Sequence, residues 1–234
     1  MTSNYFSLLS IVFLLTLFAF STSEVNAQYL PVGPQTNVPI DTVLNGGWTE
    51  CYIDTYDNHM NAEDVLDQCP GNLLMLACRQ VGSDTLMLLA QGLRSDVTFN
   101  TGANEDVTHI ANEVGWYFNI GPIDVVDPGI NSWGFVRAGD SVEKDNCDTD
   151  DSGAVNERLC WHIQRTNGGY RCGSVRSLNS GPDAESYERI VYVSDQEPSS
   201  PAQVPTLSEW GLIAFASFLG IVGFIVMRRR KVIA

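Results

Sequence analysis

The segment from Asp145 to Gly153, Asp-Asn-Cys-Asp-Thr-Asp-Asp-Ser-Gly, is the densest acidic cluster in the chain. Calcium takes about six to eight oxygen ligands from a short, turning segment. Here Asp145, Asp148, Asp150 and Asp151 offer carboxylates at closely spaced positions, so the loop is a candidate calcium site. Asp148, Asp150 and Ser152-Gly153 echo the start of an EF-hand loop. The twelfth position is Leu159 rather than a glutamate, and no flanking helices are evident, which argues against a true EF-hand. The plainer alternative is a solvated acidic loop tied down by Cys147.

The histidines are His59, His109 and His162. A Ser-His-Asp triad can be drawn from them on paper, as it can in any chain with many Ser and Asp. No G-x-S-x-G elbow supports it. There is no H-E-x-x-H and no glycine-rich phosphate loop. Paired carboxylates for glycoside hydrolysis are recognised by their separation in space, which sequence does not give. His162 follows Trp161 in an apolar run and reads as structural. His59 sits in the polar Asp57–Asn61 loop and reads as exposed. Trp48, Trp116, Trp133 and Trp161, with Tyr52, Tyr56, Tyr117, Tyr170, Tyr187 and Tyr192, make the domain rich in aromatics. Such rings bind sugars or proteins at a surface, or fill a core; Trp161 is expected to be buried.

Elements must position these groups. Strands are expected at Trp48 to Tyr56, Asn72 to Arg79, Thr85 to Leu93, Val97 to Thr101, Ser132 to Arg137, Arg158 to Gln164, Tyr170 to Val175 and Tyr187 to Val193. They are rich in β-branched, aromatic and apolar residues and bounded by Gly, Asn and Asp turns. Asn61 could cap a short helix to Gln68, stopped by Cys69-Pro70-Gly71. Asp106 to Val114 suggests a second. The fold class is mainly β, β-sandwich-like, or α+β with one or two short helices.

All six cysteines, Cys51, Cys69, Cys78, Cys147, Cys160 and Cys172, lie in this domain. An even count in an exported chain reads as three disulfides. Spacing does not choose the connectivity; the expected pairing is Cys51–Cys69, Cys78–Cys172 and Cys147–Cys160. Zinc is a poor rival, since no C-x-x-C occurs.

The chain has 28 acidic and 13 basic residues. Four of the basic ones, Arg228 to Lys231, follow an apolar run. Glu24 and Glu209 also fall outside residues 28–204, which then carry about −17. Such a surface repels phosphate backbones and excludes nucleic acid as a natural partner.

The apolar run Phe6 to Phe20, then a polar stretch, then Val25-Asn26-Ala27, has a signal-peptide pattern with cleavage before Gln28. The absence of Lys and Arg in the first five residues departs from it. Trp210 to Met227 is free of charge and long enough to span a bilayer, with Arg228-Arg229-Arg230-Lys231 holding the tail inside. The expected organisation is a signal peptide (1–27), an extended lead-in (28–47), a disulfide-bonded extracytoplasmic domain (48–193), a Pro/Ser linker (194–203) and a terminal segment (204–234) with one transmembrane helix over 210–227.

Val204, Pro205, Thr206, Leu207, Ser208, Glu209 and Trp210, then Gly211, the apolar helix and the basic cluster, closely resemble the bacterial IPTL-CTERM sorting signal. Val204 stands where the name-giving pattern has Ile. The resemblance covers about the last 31 residues. It implies a substrate of an exosortase-type membrane enzyme in a Gram-negative bacterium, cut near the motif and passed from the inner membrane to the cell surface or beyond. Pro205 and Thr206 would be recognition residues. The strings Trp48–Tyr52, Leu159–His162, Gly168–Gly173 and Tyr187–Tyr192 resemble an uncharacterised ectodomain family found with such tails; no activity comes with that likeness.

The leading expectation is a non-enzymatic surface or matrix protein that binds a protein or glycan partner, with calcium as the one candidate cofactor. A secreted hydrolase without a recognisable motif and a structural coat component are the alternatives.

Overall fold

A computed structural model describes residues 28–102, 106–119, 131–143, 147–163, 168–195, 217, 219 and 221. Contacts divide the chain into Met1–Gln196 and Glu197–Ala234. In the second unit only 217, 219 and 221 are described, and all three are helical. Among the described residues no helix is long and apolar enough to cross a membrane. The leader (1–27), most of the linker and, apart from those three positions, the expected 210–227 span with its basic tail lie outside the described residues.

The first unit is mainly β. One antiparallel sheet has the order β1-β4-β3-β10-β2, and a second has the order β5-β6-β7-β8-β9. In the first, β1 is Gln35–Pro39, β2 Thr49–Thr55, β3 Leu73–Gln80, β4 Thr85–Leu93 and β10 Tyr187–Ser194. In the second, β5 is His109–Ala111, β6 Val114–Asn119, β7 Ser132–Arg137, β8 Leu159–His162 and β9 Arg171–Cys172. Among the described residues of this unit the short α-helices are α1 Ile40–Asn45, α2 Ala62–Gln68 and α3 Arg94–Val97. As the sequence suggests, Asn61 caps α2, its side-chain oxygen accepting from the Glu63 N–H at 3.0 Å.

β3 and β4 read as near-continuous apolar runs because both faces are covered. One face joins β6, β7 and β8 in a shared cluster that includes Leu74, Leu76, Leu88, Trp116, Trp133 and Trp161. Trp133 meets Phe118 and Trp161 edge-on, with ring centres 5.3 and 5.7 Å apart. The other face, with Met75, Ala77, Ile190 and Tyr192, is covered by Val38, Val43 and Trp48.

That cover corrects the lead-in reading. Residues 28–47 supply edge strand β1 and helix α1, and the Trp48 indole donates to the Tyr29 carbonyl at 2.7 Å. Two further expectations fail. Val97 closes helix α3 instead of opening a strand, and Asn100 makes only an isolated bridge to Phe118. The region 106–114 is not a helix. Asn112 and Glu113, both at positive φ, turn β5 back onto β6.

The three disulfides are Cys51–Cys69, Cys78–Cys172 and Cys147–Cys160, and no cysteine is free. The first ties β2 to the end of α2, the second joins β3 to β9 across the sheets, and the third pins the acidic loop to β8. Gln28, at the start of the described chain, donates from its side-chain amide to the Ser194 hydroxyl at the end of β10, 3.1 Å away.

Candidate functional site

The acidic loop folds over the outer face of the second sheet, where Tyr117, Val136, Val142, Cys147 and Cys160 form a small buried cluster. Asp148 is fully buried there. Arg158, also fully buried, donates to its Oδ1 at 2.8 Å, and Arg171 lies 3.8 Å from its Oδ2. Arg158 also donates to the Ser141 and Ser152 carbonyls, and Arg171 to those of Asp148 and Asp150. Burial pushes the Asp148 carboxyl up to about 6, with Arg158 and then Arg171 pulling it back. Burial likewise pulls the Arg171 guanidinium below its ordinary value.

Asp150 accepts from the Ser141 hydroxyl and the Ser152 N–H, which holds it down at about 2. Asp151 pairs with Arg171 and Arg176. The described carboxylates of the proposed calcium set therefore each have partners within the protein; Asp145 lies outside the described residues. Among the described residues no group of three or more His, Cys, Asp or Glu side chains is placed to hold a metal ion.

The histidines do not converge on one centre. His59 is exposed in the loop after β2. His162 is buried in β8, with β6 and β7 between it and His109 in β5. The Nε2 of His109 is 2.8 Å from Asp96 Oδ1, and its ring stacks on half-exposed Phe99 at 4.4 Å. Among the described residues no hydroxyl is hydrogen-bonded to that imidazole. The four domain tryptophans are all buried, Trp161 included, so they serve the core and leave no tryptophan platform at the surface.

Sequence reading missed a cleft of about 210 Å³ lined by Thr36, Asn37, Met87, Asn156 and Ser174. It lies where the first sheet's β1 and β4 meet two pieces beside the second sheet: the 3₁₀ turn Val155–Glu157 and the turn after β9. The β1–β4 ladder pairs Thr36 with Leu88 and Val38 with Leu86 but leaves out Asn37. Asn37 instead adopts φ 55°, in the left-handed region, opposite Met87. Gly173, at φ 59°, forms the back of the turn. A Cβ there would stand 3.1 Å from the Asn156 carbonyl oxygen and 3.5 Å from the Met87 methyl. The neighbouring Cys172 is fixed to Cys78, which anchors the turn to the first sheet.

Comparison with known proteins finds no match among curated proteins and none among solved structures. A family model does match at the other end of the chain. Residues 202–230 fit the IPTL-CTERM motif, so the chain carries an IPTL-CTERM sorting tail.

Proposed function

We propose that the chain is an exported, surface-sorted protein whose β-rich unit works outside the cytoplasm as a binding or matrix component. The observation that carries this reading is the IPTL-CTERM match over residues 202–230. The order of parts fits it: the motif, then a charge-free run to Met227, then Arg228 to Lys231 as the retained positive end. An exosortase-type enzyme is the processing partner that such a tail calls for.

The folded unit suits an oxidising compartment. All six cysteines are paired, and two of the disulfides hold loop or helix ends to strands. Its acidic charge keeps an exposed protein soluble and disfavours nucleic acid.

Intact mass spectrometry of unreduced protein from its own cells tests the reading. We expect a chain that begins at Gln28, lacks Trp210 to Ala234 and is six hydrogens lighter than the reduced chain. Recovery of the complete C-terminus from cells that hold the sorting enzyme would reduce the tail to a plain anchor.

A further inference from the structure

We infer that the Thr36–Asn37–Met87–Asn156–Ser174 cleft is a subsite for one neutral sugar ring, an assignment that rests on the surface-binding reading above.

The lining chemistry carries the argument. Two primary amides, two hydroxyls and one thioether meet there. An amide or hydroxyl both donates and accepts, as does each sugar hydroxyl, so every lining polar group matches a ligand hydroxyl in either sense. Met87 gives an adaptable apolar surface for the ring carbons. Among the described residues, the side chains of Thr36, Asn37, Asn156 and Ser174 make no hydrogen bond to the rest of the protein. Their capacity is therefore unspent.

The absence of charge in this lining stands out against its surroundings. Residues 28–204 carry about −17, yet among the described residues no ionic side chain lines the cleft. A cationic ligand would have no counter-charge within the cleft, and an anionic one would be opposed by the protein's field. That selects neutral sugars over uronic acids, sialic acids and sugar phosphates. A volume of about 210 Å³ is below the roughly 300–1,000 Å³ of sites for drug-sized ligands and suits a single ring.

The backbone is shaped for the same place. Asn37 leaves its ladder pairing in mid-strand, at a φ that costs a non-glycine residue energy. Glycine at 173 keeps a Cβ away from Asn156 and Met87. The Cys78–Cys172 bond fixes one wall relative to the other, so the groups are held in place before any ligand arrives.

Saturation-transfer NMR on the protein purified from its own cells tests the assignment. The probes are the methyl glycosides of mannose, glucose and galactose, N-acetylglucosamine, and glucuronate as the charged control. We expect saturable binding of at least one neutral sugar and none of glucuronate. Asn156→Ala with Ser174→Ala, at exposed positions, should weaken that binding about tenfold and leave the melting temperature unchanged. Unchanged affinity in the double variant overturns the site while sugar binding stands. Binding of glucuronate as tight as of a neutral sugar overturns the selectivity. No sugar binding, in protein still recovered from the cell surface without its tail, overturns the sugar assignment alone; loss of surface sorting overturns the function proposed above.

Discussion

The hydroxyl of Tyr117 in β6 donates to the Leu159 carbonyl in β8, 2.7 Å away, reaching across the strand between them. The crossing passes over Gly134 of β7. A Cβ at 134 would lie 2.0 Å from that carbonyl oxygen and 2.5 Å from the Tyr117 hydroxyl. Gly134→Ala therefore has to displace the ring or spread the strands, and we expect a loss of about 3 kcal/mol in urea unfolding. Tyr117→Phe removes only the hydroxyl and should cost about 1 kcal/mol. An alanine variant as stable as the wild type would show that the sheet yields there freely.

Arg158 pairs with Asp148, both side chains fully buried, and also donates to the Ser141 and Ser152 carbonyls. Arg158→Met keeps an apolar stem and leaves the buried carboxylate with its weaker partner, Arg171. The expected loss is about 3–5 kcal/mol near neutral pH. Because protonation relieves the stranded carboxylate, the loss should shrink as the pH falls towards about 5. Equal losses at both pH values would mean that the charge of Asp148 does not matter to the fold.

The wild type should itself depend on pH through this residue. In the folded protein Asp148 titrates at about 6, above its ordinary 3.8. Its contribution to stability is then full below 3.8 and is lost as the pH rises through 6. Asp150, held at about 2, acts in the opposite sense: its contribution is present above 3.8 and lost as the pH falls through 2. Urea midpoints should thus rise between about pH 7.5 and pH 5. Asp148→Asn should flatten that rise, and a variant with the wild-type slope would assign it to other groups.

The disulfides should differ in worth. Cys78–Cys172 closes 94 residues, whereas Cys51–Cys69 closes 18 and Cys147–Cys160 closes 13. Chain entropy gives ~4.7 kcal/mol for the first and ~3 for each of the others. Paired Cys→Ala variants, compared by thermal melting, should rank in that order. Should Cys147–Cys160 prove the costliest, its role in seating Asp148 would outweigh loop length.

The central strands were legible because burial on both faces writes an apolar run into the chain, as in Leu73 to Ala77 and Leu86 to Ala90. β1 was not. Gln-Thr-Asn-Val-Pro buries only Val38, and three prolines nearby suggest an irregular lead-in. The β5–β6 turn hid in a helix-like composition, although Asn112 is a residue that tolerates positive φ. In the acidic loop, sequence showed the carboxylates close together. Their partners Arg158, Arg171 and Arg176 come from later segments, so no local spacing announces them. The cleft draws on segments around positions 36, 87, 156 and 174, each unremarkable alone.

The contact between Gln28 and Ser194 has a practical meaning. The polypeptide enters and leaves the folded unit side by side, so the unit is a cassette. It can be inserted into a surface loop of another exported carrier without stretching either junction, in the way domains with adjacent termini tolerate transplantation.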